Sequence, residues 1–370
     1  MNRGTKPSGA SKHPTEGHFS PRTKMKTNRA GSASSPIWLG AVTAVAILFP
    51  VTAPPAVPFG AKLLKQIASI ELPGPAGKRF DYLAIDPEDH LLFCAHLAAG
   101  NLYVIDMRTN KVLQTIAEVP GVGGVEYVPD EKKVYTSDAY EDEIGVIDLA
   151  TMNVIKKVPT ESKPDGSTYA APFRKLYVSD ERAKAVAVVD VSNDEILRTI
   201  HFQSETGMPQ YDPVAKLVYV NLQDQNVLAV INPTTDTVTE QHPVGRCRGN
   251  HGMALDPEHH RAFLACESNN LMTVFDLDKF EAVANLPLAE GADVVKFDPG
   301  LGRIYVACYS GAISVFEQKD PAHYSKLGDV RVAHAVHSLA VDPETHRVYA
   351  PEQEEAGVPV ARLIVFDAVP

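Results

Sequence analysis

Residues Asp86 to Asp106 read DPEDHLLFCAHLAAGNLYVID. An Asp-Pro turn leads, about five residues later, to the hydrophobic-aromatic pair Leu92-Phe93, and the segment closes on a strand-like Val104-Ile105-Asp106. The same order returns along the whole chain. The turns fall at Asp86-Pro87, Val128-Pro129, Ala171-Pro172, Asp212-Pro213, Asp256-Pro257, Asp298-Pro299 and Asp342-Pro343. The second marker keeps step: Val104-Ile105-Asp106, Val146-Ile147-Asp148, Val188-Val189-Asp190, Val230-Ile231-Asn232, Val274-Phe275-Asp276, Val315-Phe316-Glu317 and Val365-Phe366-Asp367. A beat of about 42 residues suits a unit of four short strands. Two markers in step over seven units predict an all-β chain, a seven-bladed β-propeller.

Within the second unit, strand-like segments run Val125 to Val128, Lys133 to Thr136, Gly145 to Ile147 and Val154 to Val158. The last unit has its turn at Pro343 and strands at Arg347 to Ala350 and Arg362 to Phe366, then ends without a fourth. Its missing strand lies at the other end of the repeat region. LLKQIASIEL (Leu63 to Leu72) reads like the outer strands Lys111 to Ile116 and Glu195 to Ile200, so the amino-terminal strand of the mature chain is expected to complete the last blade and cover its edge.

Residues 1–61 differ in kind. A basic stretch (Arg22, Lys24, Lys26, Arg29), the apolar run Ile37 to Phe49 and a Pro/Ala-rich exit have the form of a secretory signal, with Met25 as an alternative start and an uncleaved membrane anchor as the alternative fate. The expected domains are therefore a leader over 1–61 and one propeller over 62–370, exported to a periplasm or the exterior and monomeric. The leader holds seven of the 35 Lys and Arg and one of the 46 Asp and Glu, which leaves 28 basic against 45 acidic residues and a net charge of −17. So acidic a body is repelled by phosphate backbones, and nucleic acid is not an expected partner. Cys94, Cys247, Cys266 and Cys308 allow three pairings if two disulfides form.

Segments such as RFDYLAIDPEDHLLF (Arg79 to Phe93), GADVVKFDP (Gly291 to Pro299) and HSLAVDPETHRVY (His337 to Tyr349) resemble the exported YncE-like proteins of the YVTN β-propeller repeat family, over essentially residues 62–370. The resemblance implies a binding propeller; related propellers include metal-dependent lactonases, which supply an enzymatic alternative. The sole tryptophan, Trp38, lies in the leader, so the body lacks the tryptophans of WD repeats and of quinoprotein dehydrogenases. Phosphate-loop, Gly-x-Ser-x-Gly and His-Glu-x-x-His signatures are also absent from the sequence.

Register points to a site on the face where inner strands begin. Six residues before each turn proline (before Ala171 in the third unit) stand Asp81, Gly123, Asp165, Gly207, His251, Asp293 and His337; nine after it stand His96, Asp138, Asp180, Leu222, Cys266, Cys308 and Glu352. The expectation is a double ring. Asp81, Asp165, His251, Asp293 and His337 are candidate ligands for a small molecule or a divalent metal ion, with His251, Asp293 and His337 the candidate catalytic groups of a hydrolase or lyase. Cys266 and Cys308 would extend the metal set with soft ligands. Arg248 and Asn250, in Arg246 to Gly252, are further ligand-binding candidates; a Cys247–Cys266 disulfide ordering that loop is the competing reading. Expected partners are thus a small molecule, a metal ion or an exported protein. Glu126 and Lys296 share a position deeper in the channel, and His90, His259, His260 and His346 belong to the opposite rim.

Overall fold

The computed structural model describes residues 63–369. The leader, Met25 and the Ile37 to Phe49 run lie outside them. Seven four-stranded antiparallel sheets form a ring of blades, the seven-bladed propeller expected from the repeat. Their inner strands are Leu83–Asp86, Val122–Val128, Pro164–Ala170, Thr206–Asp212, Asn250–Asp256, Ala292–Asp298 and Ala340–Asp342. In the seventh sheet, Ala340–Asp342 is followed outward by Arg347–Glu355, Val358–Ala368 and, outermost, Leu64–Glu71 from the other end of the repeat region. Leu64 pairs with Ala368 and Glu71 with Arg362.

Both repeat markers are turn devices. Asp86 Oδ1 accepts the backbone N–H groups of Glu88 and Asp89, and Asp212, Asp298 and Asp342 act in the same way. Proline at the next position fixes φ for the turn. Asp106, Asp148, Asp190 and Asp276, which end the second marker, cap the following turn alike. An aspartate recurs because each turn has backbone donors that its own strands cannot satisfy.

Strands run longer than their apolar segments. The second blade is built from Val122–Val128, Lys133–Asp138, Glu143–Asp148 and Asn153–Pro159. Ladder hydrogen bonds continue through the polar residues at the strand ends, which an apolar count leaves out. Between blades lie the apolar layers that hold the ring. One joins Ile70, Leu83, Leu92, Tyr349 and Leu363 across the seventh and first blades; another joins Tyr305, Ile313, Val348 and Ile364 across the sixth and seventh. Each such side chain contributes about 1.5–3 kcal/mol on burial.

Candidate functional site

Five inner strands carry a register shift near their start: between Val122 and Val125, Pro164 and Ser167, Thr206 and Pro209, Asn250 and Met253, and Ala292 and Val295. Gly123, Asp165, Gly207, His251 and Asp293 stand inside these bulges. A bulge interrupts the alternation of a strand and re-aims one side chain; here it turns the same repeat position toward the channel in blade after blade. Glycine follows at three of the shifts, at two of them for want of space. A Cβ at Gly124 would lie 2.0 Å from the carbonyl oxygen of Asp165, and one at Gly252 would lie 1.9 Å from that of Asp293.

The ring residues meet. His251 Nε2 lies 3.2 Å from Asp293 Oδ1, 3.9 Å from Asp165 Oδ2 and 3.3 Å from the Tyr82 hydroxyl. Arg79 Nη2 donates to Asp81 Oδ2 at 3.1 Å, and His337 Nε2 is 4.0 Å from Asp81 Oδ1. Tyr309 stacks on His337 with ring centroids 4.2 Å apart, and the Arg79 guanidinium sits 5.9 Å from the centre of the Tyr309 ring. Asp81, Tyr82, Asp165, His251 and Asp293 line a cavity of about 730 Å³, together with Arg79, Lys163 and Tyr309. Asp293 Oδ1 makes an ion pair without a well-aligned hydrogen bond, and His337 Nε2 has no partner. His337 Nδ1 donates to the Ala335 carbonyl, so in the neutral ring Nε2 is left as a bare acceptor.

Burial and like charge shape the protonation states. Asp81 is raised from 3.8 to about 6 by burial, against the opposing pull of Arg79 and with the help of Asp293. Asp165 is raised to about 7 by burial and the charge of Asp81. For His251, burial works against the cation, but the charges of Asp293 and Asp165 outweigh it and raise the ring to about 10. Asp293 is lowered, burial being overcome by His251. His337 is lowered chiefly by burial. Near neutral pH the cavity therefore holds a cationic His251 against an ionised Asp293, with Asp81 and Asp165 each close to its own titration point.

The second ring needs correction by one residue. The positions nine after the turn proline face into the blades: His96 is buried between Lys78 O and the Tyr103 hydroxyl, Asp138 pairs with Lys157, Asp180 accepts the Glu161 N–H and Glu352 pairs with Arg362. One position further on, Leu97, Ala139, Glu181, Gln223, Glu267 and Tyr309 all line the cavity. A shift of one along a strand direction exchanges the two faces.

Neither cysteine proposed as a metal ligand reaches the cluster. Cys266 is bonded to Cys247, and Cys308 is buried in the apolar layer with Val295 and Phe316. Cys94 and Cys308 are free and buried. Arg248 turns back on its own loop, donating to the carbonyls of Gly245 and Cys247, and borders a separate surface hollow with Asp224 and Ser268. Asn250 is buried between blades, donating to Asn221 Oδ1 and the Val227 carbonyl. Arg79 and Tyr82 flank Asp81 in the string Arg79-Phe80-Asp81-Tyr82 but stand at no counted position, so the register did not find them.

This geometry defines a seven-bladed propeller with a polar channel mouth. Among solved structures the chain is similar to hydrazine synthase of Kuenenia stuttgartiensis, at 16% identity and TM-score 0.68, covering 81% of this chain and 98% of that one. It is also similar to the RRP9 WD40 repeats and to U3-55K, each at 11% identity and TM-score 0.69, covering 82% of this chain and 99% of the other. At these identities the likeness shows the fold alone. No protein-family model and no curated protein matches the chain.

Proposed function

We propose that this chain is an exported propeller that holds a small organic ligand of low net charge, rich in hydroxyl or amide groups, in the cavity at the channel mouth, without turning it over. One observation carries the reading: Asp293, whose Oδ1 makes an ion pair but no well-aligned hydrogen bond, and the carboxyl groups of Asp81 and Asp165, raised toward neutral pH, converge on a cavity of about 730 Å³, a size that suits a small molecule. Charges of both signs line it, so a neutral ligand with alternating donors and acceptors complements it better than a strong ion of either sign. Tyr140, exposed at the rim, offers an aromatic face to its apolar side. The leader and the Cys247–Cys266 disulfide support an oxidising compartment, and the resemblance to YVTN-repeat proteins supports a binding role.

The metal-dependent hydrolase or lyase has less support, because the donors do not suit a resident divalent ion. Asp81 is already paired with the Arg79 guanidinium, and His251 is a cation between two carboxylates. Among the described residues no group of three His, Cys, Asp or Glu side chains is disposed to hold a metal. The test is calorimetric titration of the purified chain with a panel of sugars, polyols and amides, beside Arg79→Met and Asp293→Asn variants of matched circular dichroism. Saturable binding lost in both variants is expected. Turnover of a bound compound, or near-stoichiometric metal that disappears in an Asp293→Ala/His337→Ala variant, would overturn the reading.

A further inference from the structure

Beneath the mouth, Tyr82, Met208 and Val294 pack together as an apolar waist. Beyond it lies a second chamber of about 260 Å³. Its wall includes Glu126, Ser167, Thr168, Gln210 and Lys296, and it extends to Ile85, Tyr127 and Val341, each two residues before its turn proline. Five of the seven blades place no charge in it. The two charged residues belong to the second and sixth blades and interact across the chamber without approaching to ion-pair distance.

Their satisfaction is incomplete. Glu126 Oε1 accepts the Tyr169 N–H, while among the described residues no hydrogen bond or ion pair within 4 Å reaches Lys296 Nζ. Two opposite charges held apart in a narrow chamber, each still partly exposed, have lost part of their hydration without gaining each other. Burial accordingly raises Glu126 to about 7 and lowers Lys296. A ligand carrying both charges would restore what the pair lacks.

We infer that the lower chamber is a binding site for a small zwitterion of the α-amino-acid type, its ammonium group on Glu126 and its carboxylate on Lys296. Ser167, Thr168 and Gln210 supply hydroxyl and amide groups beside the charged pair, and the volume limits the occupant to small side chains. The waist separates this site from the one proposed above, so either can fail alone.

Titration calorimetry of the full chain with glycine, alanine and serine tests the inference, with acetate and methylamine as single-charge analogues. The amino acids are expected to bind and the analogues to bind roughly tenfold more weakly or worse, since each lacks one charge-assisted contact. Lys296→Met and Glu126→Gln should each weaken amino-acid binding by a similar factor. The analogue comparison uses the unaltered protein, so it stands even where a variant does not fold. Absence of binding at about 10 mM ligand, a concentration at which even a site with a dissociation constant of about 1 mM would be nearly filled, would overturn the inference. So would equal binding of acetate or methylamine, or binding lost in Arg79→Met and kept in Lys296→Met, which would move the ligand to the upper cavity.

Discussion

On the face of the Asp-Pro turns, Asp194 receives Lys133 Nζ at 2.8 and 2.9 Å and the Tyr135 hydroxyl, while one blade further Asp236 receives Lys175 Nζ at 2.7 Å and the Tyr177 hydroxyl at 2.6 Å. At the channel mouth, Asp293 Oδ1 has an ion pair with His251 but no well-aligned hydrogen bond, and Asp81 and Asp165 are raised toward neutral pH. Both regions bury carboxylates. The first closes its hydrogen bonds between adjacent blades and so fastens one blade to the next; the second leaves capacity facing a cavity. Asp86 Oδ2 and Asp212 Oδ2 on the turn face also lack partners, so an open acceptor marks a candidate site only where, as at Asp293, the residue also lines a cavity.

The comparison breaks most visibly if a saturated cluster is opened. Asp194→Ala removes the acceptor of two buried donors, leaving Lys133 with an uncompensated charge, and is expected to cost about 3 kcal/mol in a urea titration. It should leave ligand affinity at the mouth unchanged. A cost below about 0.5 kcal/mol, the level of an ordinary surface change, would show that these contacts do not fasten the blades.

A second structural tie adjoins the site itself. The Cys247–Cys266 bond spans a sequence separation of 19 residues, and replacing both cysteines with serine is expected to cost about 3 kcal/mol or slightly more through a freer unfolded chain. Because the bond anchors the loop leading into Asn250 and His251, affinity at the mouth should fall as well. A stability loss with unchanged affinity would show that the bulge orients His251 without help from the loop.

The mouth should answer to pH where the saturated clusters do not. The folded-state value of Asp165 is raised from 3.8 to about 7, so the fold favours its protonated form: that contribution is full below about pH 4 and is lost as pH rises through about 7. Asp165→Asn keeps a neutral side chain throughout. Between about pH 5 and about pH 8.5 its stability relative to the parent is expected to improve by on the order of 2 kcal/mol, read from urea titrations at the two values. A gap that stays constant would mean that Asp165 is ionised across the range.

Fold and site were not equally legible. The seven Asp-Pro or hydrophobic-Pro turns and the Val-Ile-Asp ends expose the blade repeat directly, because each aspartate answers a local demand of the backbone that sequence spacing records. Asp165, His251 and Asp293 were legible for a related reason: a bulge at a constant position delivers one register to the channel, and Asp81 holds the same register just before the first inner strand. The outer ring was misread by a single residue, His96 and Asp138 for Leu97 and Ala139, since the face a side chain takes where a strand gives way to a loop is settled by three-dimensional pairing. Arg79 and Tyr309 were missed because they come from segments outside the inner strands. The lower pair, Glu126 and Lys296, shared a legible position, yet its isolation from other partners could be seen only in the chamber.

Arg248 sharpens the comparison at its weak end. By composition Arg248 is an attractive ligand residue, a guanidinium three positions from His251. In the structure its Nη1 donates to Gly245 O at 2.9 Å and Cys247 O at 2.7 Å, and its backbone N–H to Asn269 Oδ1. A guanidinium spent on its own loop leaves little directional capacity for a ligand, and an exposed brace contributes little to stability because water competes for the same carbonyls. Arg248→Ala is therefore expected to change stability by no more than about 0.5 kcal/mol and to leave affinity at the mouth unaltered, in contrast to Arg79→Met. A loss of binding in Arg248→Ala equal to that in Arg79→Met would extend the site across the surface hollow beside Asp224, and the line between braced loop and binding cavity would have to be redrawn.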